Sequence, residues 1–201
     1  FFMYKTTVAN TNFIIATETI FLALFGYIFL KEKIKLITYI SIFLGMLGVL
    51  LIIGSSLSFQ TNDEITGNIV AFIMPISFAV LVIIIRKYPN VDMVPAQFTA
   101  GVFAAFIGFV IAGNLSISLH DLVLALIAGF FQVGLGFILI TIGSRTTPSA
   151  MVGILMLSES VFGPLWAWLF INEISPVTVL IGGIIIILSI LLQTFFGKNK
   201  N

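Results

Sequence analysis

Two acidic side chains sit where acids are rarely kept. Glu18 lies between Thr17 and Thr19, and Glu159 between Ser158 and Ser160. Each falls about eleven residues into a long apolar stretch. At about 1.5 Å rise per helical residue, that depth is close to the middle of a bilayer. An ionised carboxylate there costs on the order of 2.5–3.5 kcal/mol by insertion scales. It must face protein or water, or hold a proton. Ionisable groups inside membranes are usually functional, so a proton- or substrate-coupling pair is expected. The competing reading is a pair of protonated Glu side chains bonded to neighbouring helices with help from the flanking hydroxyls.

Other candidates are placed by their distance from this pair. Asn10, Thr11 and Asn12 come about two turns before Glu18. Met156, Phe162, Gly163 and Trp166 lie three to seven positions from Glu159 and share its helical face. Thr11, Asn12 and Trp166 are therefore expected at a substrate- or proton-binding site. Aromatic rings beside a carboxylate suit a cationic or amphiphilic solute, and they equally suit plain packing. Gln97 and Gln132 are the other mid-span polar side chains, able to bond a solute or to join helices. No catalytic residue is expected. The sequence has no phosphate-binding loop, no HExxH and no GxSxG. With no Cys and a single His, it offers no thiolate or His-rich metal centre, and no cofactor is expected.

The elements that must hold these residues are membrane spans. Of 201 residues, 60% are hydrophobic and 8% charged. A soluble domain is about 25% charged, so this chain cannot cover a globular surface with charge. A net charge of +1 gives no footprint for nucleic acid. Stretches of about 20 apolar residues recur at roughly 7–30, 36–55, 67–85, 94–113, 121–142, 148–171 and 176–196. Seven helical spans joined by short loops are expected. Pro75 and Pro164 fall inside spans and should bend them.

Basic residues orient the spans. One side receives Lys31, Lys33, Lys35, Arg86, Lys87, Arg145, Lys198 and Lys200, and the other only Lys5. Basic short loops stay cytoplasmic, so the C-terminus is expected there, in the inner or plasma membrane of a cell.

The stretch from Thr6 to Glu32 repeats at Thr147 to Glu173, an offset of 141 residues. Glu18 matches Glu159, Glu32 matches Glu173, and Thr17-Glu18-Thr19 matches Ser158-Glu159-Ser160. Five spans separate the copies, so they cross in opposite directions, an inverted repeat typical of secondary transporters. Residues 67–197 read as one complete repeat and residues 1–56 as the latter part of another. The opening Phe1-Phe2-Met3-Tyr4 resembles the end of a span, and roughly 75 preceding residues, about three spans, would complete a ten-span, five-plus-five plan.

These features resemble the EamA-type permeases of the drug/metabolite transporter superfamily. The likeness is carried by Ala150, Leu157-Ser158-Glu159-Ser160-Val161-Phe162, Ala167-Trp168-Leu169-Phe170-Ile171-Asn172-Glu173 and Gly182-Gly183, and by Leu30-Lys31-Glu32 and Gly45 with Gly48 in the first copy. The family often has Pro directly after the central Glu, where this chain has Ser160. The resemblance implies an all-α, polytopic membrane protein that moves a small metabolite or drug-like solute by alternating access. The alternative is a membrane enzyme or lipid-handling protein. Expected partners are a small-molecule substrate and the lipid bilayer. The small residues around Gly101, Ala105 and Gly108, and at Ala128, Gly129, Gly134 and Gly136, suit intrachain packing first and a homodimer face second. Glu32 and Glu173 are expected at solvated or interfacial span ends, their equivalence in the repeat pointing to a structural role, and His120-Asp121 at a helix start.

Overall fold

The computed structural model describes residues 8–54, 62–112, 117–171 and 176–197. Among these every regular element is helical. Seven stretches are long and apolar enough to cross a membrane. The first comprises α1 (Val8–Ala16) and α2 (Glu18–Leu30), and the second α3 (Leu36–Ile53). The third comprises α4 (Asn62–Ala71) and α5 (Ile73–Lys87), and the fourth α6 (Val94–Ile111). The fifth runs through α7 (Leu119–Ile127), a π-helical segment (Ala128–Leu135) and α8 (Gly136–Ser144). The sixth comprises α9 (Ser149–Met156) and α10 (Glu159–Ile171), and the seventh is α11 (Val177–Phe196). The chain is an integral membrane protein by this architecture. Large exposed side chains such as Phe98, Ile111 and Phe170 are what a lipid-facing surface requires. Lys5, Thr6, Glu173, Lys198 and Lys200, which entered the charge and repeat readings, lie outside the described residues.

Four spans are interrupted, and the causes are local. Pro75 lacks an N–H, and its ring crowds the carbonyl of Ala71, where α4 ends. Pro164 lies inside α10, which continues through it. The break in that span comes earlier, at Leu157 and Ser158. The first span breaks at the equivalent Thr17, whose copy of Pro164 is Ala23. The Thr17 hydroxyl donates back to the Ile14 carbonyl, competing with the regular ladder.

The chain divides into two compact units, Phe1–Ile84 with Thr147–Asn201, and Ile85–Thr146. In the first, α3 packs along α11 and α2 along α9. Lipid supplies no hydrophobic drive for this, so backbones must approach closely at small residues. A Cβ added at Gly48 would lie 2.7 Å from the Gly182 carbonyl oxygen, and one at Gly45 3.2 Å from Ser189 Oγ. A Cβ at Gly153 would lie 2.7 Å from Thr19 Cα. Two clusters fill the gaps: Ala16, Val49, Leu157 and Ile186, and Leu22, Ala79, Val82 and Val152.

In the second unit, Arg145 pairs with Asp92 at 2.9 Å, joining the end of α8 to the residues before α6. Asp92 also accepts from the Val94 N–H at 3.2 Å. Ser118 accepts from the Asp121 N–H at 3.1 Å, so His120-Asp121 opens α7. The small-residue stripes do not pack as expected. Gly101, Gly108, Gly129 and Gly136 have no described atom within 4 Å of an added Cβ.

Candidate functional site

Glu18 is the first residue of α2 and Glu159 the first of α10. Both helices are 13 residues long, and the 141-residue offset carries one onto the other. The breaks before them share one hydrogen-bond pattern. The Thr17 N–H bonds the Ile14 carbonyl at 3.1 Å, and the Ser158 N–H bonds the Leu155 carbonyl at 3.0 Å. The Thr17 carbonyl accepts from Ile20 and Phe21 at 2.9 and 3.2 Å. The Ser158 carbonyl accepts from Val161 and Phe162 at 3.0 and 2.9 Å. A helix start presents unpaired N–H groups and a positive dipole end, which favours a carboxylate in its first turn. Each acid thus lies in the first turn of its helix, the end that the dipole makes favourable for it.

The two carboxylates line one cavity of about 180 Å³. Asn12, Ile15 and Ala16 come from α1, and Ile52 and Ile53 from α3. Met156 and Leu157 close the α9 side; Ser160, Gly163 and Pro164 follow Glu159 on α10. Glu18 is 5% exposed, whereas Glu159 is exposed. No described residue hydrogen-bonds the Glu18 carboxyl. The arrangement can hold a proton, or a solute bearing positive charge or hydrogen-bond donors.

Of the seven expected site residues, Asn12, Glu18 and Glu159 meet at this cavity. Thr11 is buried on α1 but does not line it. Trp166 stacks with Phe162 at 6.5 Å and meets Phe170 in a tilted pair at 5.6 Å, and it is not among the lining residues. The same offset gives Phe21, Phe25 and Phe29 on α2, with ring centroids 6.0 and 5.7 Å apart. Trp166 is therefore part of an aromatic ladder repeated on both helices. Gln97 and Gln132 belong to the other unit. Gln97 donates to the Thr141 hydroxyl, and Gln132 is exposed on the π-helical segment. The sequence reading missed the α3 wall of the cavity, Ile52 and Ile53, for which plain apolar residues give no signal. It also missed Asn68, whose Oδ1 accepts from Asn10 at 3.2 Å.

Glu32 is not merely a solvated span end. Lys31 turns through the left-handed region at φ 55°, and the Glu32 N–H bonds back to the Gly26 carbonyl at 3.1 Å. This helix-ending turn swings the Glu32 carboxylate onto the start of α9, where Oε2 accepts from the Ser149 N–H at 2.9 Å.

A helical membrane architecture with a paired-acid cavity defines a class, and comparison with known proteins gives the family. The profile of the EamA-like transporter family matches residues 1–54 and 65–195. The chain belongs to that family. It is 28% identical over 200 residues to an uncharacterized transporter of Methanothermobacter thermautotrophicus, covering 96% of this chain and 58% of that protein. It is 24% identical over 206 residues to an uncharacterized transporter of Clostridium kluyveri, covering 98% of this chain and 66% of that protein. The chain thus spans less than two thirds of either relative. A solved crystal structure shares the fold at a TM-score of 0.86 and 15% identity, covering 96% of this chain and 71% of the other.

Proposed function

We propose that the chain is part of a secondary transporter that moves a small metabolite or drug-like solute, coupled to protons, by alternating access. The carrying observation is that Glu18 and Glu159 open two register-equivalent helices and line one cavity. A carboxylate in such a cavity exchanges a proton for a solute, and discontinuous helices are the common way for transporters to build a mid-membrane site.

The five-plus-five plan draws support from the packing. The contacts of Gly45 with Ser189 and of Gly48 with Ile186 exchange under the 141-residue offset, as an internal two-fold requires. In this reading residues 1–56 belong to the first repeat and 67–197 form the second. The relatives' greater length accommodates ten spans. The basic residues Lys31, Lys33, Lys35, Arg86, Lys87 and Arg145 support a cytoplasmic C-terminus in a cell membrane.

The test is proton movement. Proteoliposomes holding the protein and an entrapped pH dye are challenged with an amino acid, a sugar, a nucleoside and a quaternary amine. A dye response to at least one solute, absent from empty vesicles, is expected. Product formation from any of them without proton or solute flux would favour the enzyme alternative.

A further inference from the structure

The charge of the solute is written in what lines the cavity, an inference that rests on the transport reading just given. We propose that the solute is a compact organic cation held between Glu18 and Glu159, and that zwitterions, anions and neutral isosteres are rejected.

Among the described residues, the lining includes Glu18 and Glu159 and no Lys, Arg or His. The described basic residues Lys31, Lys33, Lys35, Arg86, Lys87 and Arg145 are not part of it. Glu18 is buried, faces the cavity and has no hydrogen-bonding partner among the described residues. A buried carboxyl without a partner must hold a proton or meet a positive charge, so an occupant that brings a positive charge can replace that proton and gains most from this site. The positive ends of α2 and α10, which could serve an anion, already carry the two glutamates in their first turns.

A zwitterion places a third carboxylate beside the existing two with no basic group to meet it. A neutral solute compensates neither acid. The remaining wall is apolar through Ile15, Ile52, Ile53 and Met156, which suits alkyl groups on the cationic centre. The volume is small beside the roughly 300–1,000 Å³ of drug-sized pockets, which selects a compact solute.

The experiment compares three probes of one shape: choline, its neutral isostere 3,3-dimethylbutanol, and zwitterionic glycine betaine. Binding to the protein in lipid nanodiscs is followed by calorimetry near neutral pH. Choline is expected to bind at least about tenfold more tightly than either other probe. Glu18→Gln and Glu159→Gln are each expected to weaken choline at least about tenfold.

Equal binding of betaine or the isostere overturns the cation assignment, as does no choline binding up to about 10 mM. If those probes then bind wild type but not the double Gln variant, the cavity remains a transport site and only the solute class falls. Equal choline binding by wild type and the double variant overturns the site itself. Should the variants not fold, the wild-type comparison of the three probes still decides the class.

Discussion

The Glu32 carboxylate caps a helix that begins 117 residues further along the chain, accepting the Ser149 N–H at 2.9 Å. The helix starting there, α9, is otherwise capped by Pro148, which offers no side-chain acceptor. Around the contact the helices touch: a Cβ at Gly26 would lie 2.8 Å from Glu32 Oε2 and 2.9 Å from Ser149 Cβ. Further along α2 the same seam is held by the Thr19 hydroxyl, which donates to the Gly153 carbonyl at 3.0 Å. The α2–α9 contact is thus fixed at its end and beside Glu18.

Removing this cap should loosen the seam. Glu32→Ala is expected to cost about 1 kcal/mol, the usual worth of a helix N-terminal acceptor, and Glu32→Gln less because its amide oxygen still accepts. Thermal melting in detergent, followed by Trp166 and Trp168 fluorescence, measures both. Unchanged melting of the Ala variant would show that the contact carries no stability.

The α3–α11 seam should reject even one methyl group. Gly48→Ala sets a Cβ 2.7 Å from the Gly182 carbonyl oxygen and is expected to destabilise by about 1–3 kcal/mol, the range for overpacking. Gly101→Ala meets no described atom within 4 Å and should leave stability unchanged or raise it by up to about 1 kcal/mol. The paired melting curves test the packing because the chemistry of the two changes is identical.

Gln97 and Thr141 should be energetically coupled. Their hydrogen bond joins α6 to α8, and the Thr141 hydroxyl in turn donates to the Phe137 carbonyl at 2.7 Å. A double-mutant cycle with Gln97→Leu and Thr141→Val is expected to give a coupling of about 0.6–1.7 kcal/mol, the span measured for bonds between membrane helices. Additive losses would mean that the two side chains act independently.

Much of this fold was legible because apolar length is a strong signal in a chain with so few charges. The seven stretches read from hydropathy agree with the observed spans to within a few residues. Glu18 and Glu159 were legible for the same reason, since an acid amid apolar residues is conspicuous. The helix breaks beside them were not. Thr17 and Ser158 look like ordinary polar neighbours, and only the backbone bonds to Ile14 and Leu155 reveal the interruption.

The repeat pointed to a structural role for Glu32, but its partner Ser149 was not legible, because it lies far along the chain and Lys31 and Lys33 suggest solvent. Trp166 lies two turns beyond Glu159, a spacing that sequence alone reads as a shared face. In the structure its ring meets Phe162 and Phe170 instead. The glycine stripes of α6 and the fifth span misled because small size permits close approach without requiring it.

The paired acids carry the functional account, and transport by their charge-neutral variants tests it most directly. Uptake of radiolabelled choline into proteoliposomes is compared for wild type, Glu18→Gln and Glu159→Gln, with reconstituted protein quantified in each. The account expects each substitution to reduce uptake at least about tenfold, the loss of one interaction worth about 1.4 kcal/mol or more, while the protein still inserts and melts as wild type does. Wild-type uptake by both variants would contradict it.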